Sequence, residues 1–143
     1  MKVYLCILVL GLTSIFQTVD AQNQVLKDSL SVVKIISIGE KASHEDYDVK
    51  FKKVITDSRC PKMVSCVRAG EADVLVSIYK NGQFVADKKV RIDASGFARD
   101  ATNLAFSATD FKIYGFSLSP YPNGVAVIDQ KSYKLQVVFR PNM

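Results

Sequence analysis

The fold of this chain is decided by residues 72–92, which read ADVLVSIYKNGQFVADKKVRI. Two segments rich in β-branched residues flank Asn81-Gly82, and both turn residues tolerate the positive φ that a tight type I′ hairpin requires. A two-residue turn places Ile78 opposite Val85. Farther from the turn, this register would place the apolar residues of the two strands on opposite faces of the sheet. The mismatch predicts a β-bulge near residues 87–89.

Most other apolar segments are short, alternating and separated by turn residues, which is typical of an all-β domain. The same reasoning predicts a bulge or a strand end at Lys53-Val54 and a bulge at Gly115. Strands are predicted over residues 31–38, 47–54, 72–80, 83–92, from 104 onward, 111–118, 125–128 (a short strand) and 133–139, and loops over residues 40–46, 93–103 and 119–124.

About seven strands without helices to supply parallel crossovers indicate a mainly antiparallel sheet arrangement. We therefore expect an antiparallel two-sheet β-sandwich of immunoglobulin-like architecture, with a small β-barrel as the alternative. The chain contains no Trp, so the likeness to immunoglobulin domains concerns architecture only.

Residues 1–21 have the three parts of a secretory signal peptide: Lys2, an apolar run, and small Ala21 at the predicted cleavage site. The mature protein is then a single domain over residues 22–143. We expect it to be secreted or periplasmic, monomeric, and without an integral membrane segment after signal cleavage.

Signal removal takes away Cys6 and leaves Cys60 and Cys66. In an oxidising compartment these two cysteines are expected to form a disulfide, with a metal pair or two free thiols as alternatives.

The net charge of the 143-residue chain is +5, and its basic residues are scattered in short groups within strand-like sequence. Nucleic-acid binders concentrate their basic residues beside stacking aromatics, so no nucleic acid partner is expected. Solvated strand faces are the favoured interpretation, and attraction to an anionic envelope surface or polysaccharide is the alternative.

No catalytic, cofactor-binding or metal-binding residue is predicted. The single histidine, His44, falls in the predicted polar loop 40–46 and is expected to be exposed and incidental. Phosphate-binding, dinucleotide-binding, zinc-protease and serine-hydrolase motifs do not occur. The chain is therefore not expected to be an enzyme.

The most specific segment is residues 57–72, DSRCPKMVSCVRAGEA. It resembles the D-S-R-C-P-x-x-V-x-C-x-x-A-G-x-A motif of small, mostly uncharacterised secreted proteins and lipoproteins of bacterial cell envelopes. Residues 114–122 and the final strand from Tyr133 are also similar to that family. The resemblance implies an envelope or exterior location, but it implies no particular activity.

Two roles for this motif follow from its residues. In the structural role, the motif is a disulfide-closed connection between two strands, with a forked ion pair from Arg59 to Glu71 or Asp57. Its turn-forming and stiffening residues are Asp57, Ser58, Pro61, Gly70 and Glu71.

In the functional role, the motif is a rigid recognition loop that presents Arg59, Lys62, Met63 and Arg68 to a partner. Function is then predicted to be non-catalytic binding of a protein or glycan of the envelope. Exposed aromatics such as Tyr121 would favour that role. The alternatives are a structural or stress-protective envelope protein without a specific ligand and, more narrowly, a protease inhibitor that uses the loop from Cys60 to Cys66.

Overall fold

A computed structural model describes residues 31–94 and 99–142, and the predicted signal peptide lies outside this part of the chain. The described residues form eight strands and one 3₁₀ turn, Gln130–Ser132. The strands are β1 (Val32–Ser37), β2 (Lys41–His44), β3 (Tyr47–Asp57), β4 (Glu71–Lys80), β5 (Gln83–Asp93), β6 (Leu104–Ser107), β7 (Phe111–Ser119) and β8 (Lys134–Pro141).

The strands form two antiparallel four-stranded sheets, ordered β1-β8-β7-β6 and β2-β3-β4-β5. The two sheets do not close into a barrel, so the predicted β-sandwich is confirmed, with eight strands where about seven were expected. Neighbours in each sheet are consecutive in the chain except for β1, which pairs with β8.

The hairpin predicted from residues 72–92 forms at Asn81-Gly82, with Lys80 opposite Gln83. The predicted bulge position is wrong. The register shift lies directly beside the turn, so that Ile78 pairs with Ala86, and the ladder then continues without interruption to Asp93. The extra residue at Val85 brings the apolar side chains of both strands onto the same face of the sheet. Val74 then pairs with Val90, and both side chains enter the core.

The predicted irregularities in β3 and β7 are confirmed. The β3–β4 register shifts on both sides of Lys53-Val54, and the β7–β8 register shifts just after Gly115. At Gly115 the opposite sheet comes close: an added Cβ would lie 3.0 Å from Val90 Cγ1 and 3.1 Å from Ile92 Cδ1. A Cβ at this position would therefore crowd the side chains of Val90 and Ile92 and force them to shift by a few tenths of an ångström.

The core lies between the sheets and consists of alternate residues of their strands, as period-2 patterning predicts. Its largest fully buried hydrophobic side chains are Phe51, Phe139, Ile78, Ile113, Leu135, Val49, Val74, Val76, Val90 and Val137. This continuous core makes residues 31–142 one compact unit.

The predicted loop at residues 40–46 is wrong, because residues 41–44 form β2 and pair with β3. The prediction that His44 is exposed is therefore also wrong. The imidazole is only partly exposed, and its ring centroid lies 4.9 Å from the ring centroids of both Phe111 and Phe139. In Lys-Ala-Ser-His, only Ala42 is an apolar inward residue, which is why the alternation of β2 was not recognised.

A short strand was also predicted at residues 125–128, and this prediction is wrong. The segment is an irregular connection between β7 and β8, and Val125 and Val127 project into solvent. By contrast, the gap between β5 and β6 agrees with the predicted loop 93–103, although residues 95–98 lie outside the described part.

Candidate recognition surface

The motif forms the connection between β3 and β4, which we call the stapled loop (residues 58–70). Two hydrogen bonds extend the hairpin beyond the regular strands: the amide of Ser58 donates to the carbonyl of Glu71 (2.9 Å), and the amide of Cys60 donates to that of Ala69 (2.8 Å). The Cys60 and Cys66 sulfur atoms lie at bonding distance, 2.13 Å, as in a disulfide. The disulfide therefore encloses residues 61–65, and residues 61–68 lie beyond the last hydrogen bond of the hairpin.

Gly70 has a structural role that its position requires. Its φ is +75°, and a Cβ atom would lie 2.0 Å from the carbonyl oxygen of Ser58. The Ser58 hydroxyl donates to the carbonyl of Glu71 at 2.8 Å. The two sides of the hairpin can thus approach only because residue 70 has no side chain.

Arg59 was predicted to be either an ion-pair partner or a presented recognition residue. The structure shows the first and contradicts the second, because Arg59 is 4% exposed. Its Nε and Nη2 atoms donate to the two carboxylate oxygens of Asp57 at 2.8 and 2.7 Å. The same guanidinium donates to the carbonyls of Leu118 (2.5 Å) and Pro120 (3.0 Å), so it ties the stapled loop to the end of β7.

Asp57 is the acceptor at the centre of this cluster. Burial alone would raise its pKa, but the hydrogen bond and charge of Arg59, together with the Tyr133 hydroxyl, hold the pKa below the ordinary 3.8. Tyr133 donates to Asp57 Oδ2 at 3.0 Å. Burial and this hydrogen bond raise the pKa of Tyr133 to about 12. Asp57 is therefore ionised and Tyr133 neutral over the physiological pH range.

A second connection, which we call the proline loop (residues 120–129), lies against the stapled loop. The amide of Lys62 donates to the carbonyl of Pro122 (3.0 Å), and the amide of Gly124 donates to the carbonyl of Lys62 (3.4 Å). At its other end, the Gln130 side chain exchanges two hydrogen bonds with the backbone of Val54 in β3. Both loops are thus anchored to the same end of the sandwich, which we call the loop end.

Aliphatic side chains protrude from the loop end. The relative exposures are 97% for Met63, 105% for Val67, 100% for Val125 and 96% for Val127. The two loops and β3 also line an open groove of about 370 Å³. Large exposed apolar patches on soluble proteins often mark binding surfaces.

Met63 has an unusual backbone conformation for its residue type, with φ +69°. The amide of Val64 donates to the carbonyl of Pro61 at 3.3 Å, so Met63 occupies the third position of a β-turn. Gly or Asn is usual at a turn position with positive φ. The chain therefore has a flexible apolar side chain at a position where a smaller residue would be more stable.

Of the residues predicted to be presented to a partner, Lys62, Met63 and Arg68 are exposed, whereas Arg59 is buried. Arg68 is 80% exposed and lies 3.5 Å from Glu71, which is too distant for a strong ion pair. Tyr121 is only half-buried rather than fully exposed, because its ring lies 4.8 Å from the Arg59 guanidinium.

Sequence reasoning missed Val67, Val125 and Val127 as surface residues. The predicted strand over residues 125–128 contains the last two, and a strand position gives no reason to expect complete exposure. The sequence did contain a signal for an irregular connection. Val125 and Val127 directly follow the turn residues Pro-Tyr-Pro-Asn-Gly, and they are not spaced from the next turn as a hairpin strand would be.

Within the described residues, no three His, Cys, Asp or Glu side chains gather into a group that could hold a metal ion. The same part of the chain has no helix whose length and hydropathy would carry it across a bilayer.

In comparisons with family models, curated proteins and solved structures, nothing matches this chain. The likeness of residues 57–72 to the envelope-protein motif therefore remains a prediction, and functional inference depends on the geometry of the loop end.

Proposed function

We propose that this protein is an exported, non-catalytic binding module that engages an envelope component through the loop end. The observation that carries the proposal is the set of almost completely exposed aliphatic side chains on two anchored loops. In water these side chains contribute nothing to the core, and their burial against a partner would be favourable.

The anchoring of the loops supports recognition. A rigid surface loses little conformational entropy when it binds, so more of the contact energy appears as affinity. Here the disulfide, the Arg59 cluster and the Gln130 hydrogen bonds each restrain the backbone beneath the exposed residues. The unfavourable φ of Met63 points the same way, since a purely structural turn would be served better by Gly.

The alternative is a structural or stress-protective envelope protein without a specific ligand. The continuous core and the closed Cys60–Cys66 loop suit that role as well. It gives no reason, however, for apolar side chains at the loop end, where polar residues would keep the protein more soluble.

The protease-inhibitor hypothesis has weaker support. An inhibitory loop has to offer an extended backbone to the protease, whereas both backbone polar groups of Lys62 are used by the proline loop. The positive φ of Met63 also departs from an extended conformation.

Export is proposed from the signal-like residues 1–21, which lie outside the described part of the chain. The Cys60–Cys66 pairing fits an oxidising exterior compartment.

Affinity capture from the native envelope tests the proposal. The bait is the chain from residue 22, which contains both sheets and the whole core. We expect specific retention of an envelope component, lost in a Lys62→Ala/Met63→Ala/Arg68→Ala variant whose thermal unfolding midpoint is unchanged. Equal retention by this variant and the unsubstituted protein, or no retention by either, would contradict the proposal.

A further inference from the structure

We infer that the free edge of β1 binds an extended, acidic segment of a partner protein, which joins the sheet β1-β8-β7-β6 as a further antiparallel strand. The segment places an acidic residue opposite Lys34 and an apolar residue on either side of that position. Strand β1 contributes no residue to the loop end, so the inference stands apart from the proposed function.

The backbone of β1 has polar groups that face the free edge. At the end of the strand, the amide of Ser37 donates to the Glu40 carboxylate (2.7 Å), and its carbonyl accepts from the amide of Glu40 (3.0 Å), so both groups point away from β8. Because this direction alternates along a strand, Ile35 and Val33 also direct their N–H and C=O groups away from β8. No loop or side chain of the described residues forms a hydrogen bond with these four groups.

The pairing of β8 gives the same alternation independently. The amide of Gly115 donates to the carbonyl of Asn103 (3.0 Å), on the β6 side of β7, so Gly115 does not bond to its β8 partner Val137. Val137 therefore turns its backbone groups toward β1, where it pairs with Lys34. Lys34 is thus bonded to β8, and its two neighbours in β1 face the free edge.

Strand β1 lacks the protection that the other edge strands have. Edges are commonly protected from strand addition by short length or by charged side chains. Strands β2 and β6 have four residues each, and β5 carries Lys88, Lys89 and Arg91. Strand β1 has six residues, and the side chains of Val33 and Ile35 are apolar and 51% and 65% exposed. An extended peptide that pairs with β1 would satisfy its backbone and cover both side chains.

Lys34 determines which strand fits. It lies on the core-facing side of β1, between Val32 and Ile36, and its ammonium group donates to the carbonyl of Ser43 in β2. None of the ion pairs among the described residues includes Lys34. On an added antiparallel strand, the residue directly opposite has its Cβ about 5 Å away, so a carboxylate there would supply the missing charge partner.

The same lysine makes a second copy of this chain a poor occupant. In antiparallel pairings of two β1 strands, Lys34 meets either its own counterpart or an apolar residue of the core-facing side, Val32 or Ile36. Like charges directly opposite are destabilising, and charged residues on the inward side of an edge strand disfavour self-association. The charge therefore selects an acidic strand from a different protein.

Amide hydrogen exchange in the chain from residue 22 tests the inference with three synthetic peptides. The acidic peptide is acetyl-Thr-Thr-Val-Glu-Val-Thr-Thr-amide, and the basic peptide has Lys in place of Glu. The third is the acidic peptide with both Val amides N-methylated, which keeps every side chain but cannot donate to β1. Each is added at up to ~1 mM, a concentration that detects weak binding.

We expect the amides of Val33 and Ile35 to exchange rapidly in the protein alone and at least about tenfold more slowly with the acidic peptide. The amides of Lys34 and Ile36, which face β8, should exchange slowly in both states and serve as internal controls. The basic and N-methylated peptides should protect neither edge amide. Slow exchange of both edge amides without peptide, protection by the three peptides alike, or protection by none would overturn the inference.

Variants of β1 separate the backbone from the charge. Ile35→Pro removes an outward amide and no bond to β8, so it should abolish peptide binding and leave the urea midpoint unchanged. Ile35→Thr, the matched control, keeps the amide and should bind within about threefold of the unsubstituted protein. Lys34→Glu should reverse the preference in favour of the basic peptide, and Lys34→Gln, which avoids a new charge, should bind both peptides equally. An unchanged preference for the acidic peptide in the folded Lys34 variants, or equal binding by Ile35→Pro and Ile35→Thr, would overturn the inference.

Discussion

Replacing Arg59 with Ala is expected to destabilise the fold strongly, because Arg59 joins three parts of the chain at one buried point. The side chains of Arg59 and Asp57 retain only 3% and 9% of their exposure. Removing one partner of a buried ion pair costs about 3–5 kcal/mol, since the remaining charge is left unpaired. The carbonyls of Leu118 and Pro120 also lose their donors.

That loss is a large part of the ~5–15 kcal/mol by which native proteins are stable, so the Arg59→Ala protein is expected to unfold at much lower urea concentration. Arg59→Lys is a milder companion. It keeps the positive charge but cannot form the fork and reach both carbonyls, and we expect it to cost about 1–3 kcal/mol.

The chain offers a matched control in Arg68, an arginine of the same loop whose side chain is mainly in solvent. Arg68→Ala is expected to change the free energy of unfolding by less than about 1 kcal/mol. Urea unfolding followed by tyrosine fluorescence measures all three variants. A loss below about 1 kcal/mol for Arg59→Ala, or equal losses for Arg59→Ala and Arg68→Ala, would refute the reasoning.

Four further predictions concern the same region. Met63→Asn is expected to stabilise the protein by about 1 kcal/mol while weakening partner binding, because Asn accepts the positive φ more readily; a loss of stability would contradict this. Gly70→Ala should cost at least about 2 kcal/mol by urea unfolding, and more than Gly82→Ala, where a Cβ meets nothing within 4 Å. Replacing Cys60 and its partner with Ser should remove about 2 kcal/mol, with no change after reduction of the substituted protein. Because the pKa of Asp57 is lowered in the folded protein, the carboxylate contributes fully to stability above the unfolded-state pKa of 3.8, and this contribution is lost as the pH falls through the folded-state pKa. An Asp57→Asn protein should therefore lose less stability on acidification than the unsubstituted protein. Identical dependences of stability on pH would count against the cluster.

Local patterning predicted those parts of the fold in which side-chain alternation is regular. Both strands of the β4–β5 hairpin, the bulge at Gly115 and the terminal strand β8 followed from residue type and spacing. The β2 strand did not, because only one of its four residues is an apolar residue facing the core, and its pairing with β3 is a tertiary effect.

The bulge in the hairpin shows a different limit. The alternation of apolar side chains required one extra, unpaired residue between Ile78 and Val90, but it did not determine the position of that residue. Placing the irregularity at Val85, next to the turn, keeps the longest uninterrupted ladder, and this advantage depends on the whole pairing rather than on any single residue.

At the candidate site, the sequence indicated a closed loop and an Arg59 fork but could not choose between Asp57 and Glu71 as its acceptor. The choice depends on Leu118, Pro120 and Tyr133, which are distant in sequence and converge only in the folded chain. The same convergence buries Arg59, whereas Met63, another of the residues predicted to be presented, is 97% exposed.

The most direct test of the loop end as the binding surface is the oxidation rate of Met63 in the presence of the native envelope. Dilute peroxide converts exposed methionine to its sulfoxide, and mass spectrometry reports the rate at Met63 against a methionine-containing peptide added to monitor the dose of oxidant. Because Met63 is 97% exposed, the account predicts rapid oxidation of its thioether in the free protein and clear protection when envelope is added. An oxidation rate at Met63 that is the same with and without envelope, while the protein is bound, would contradict it.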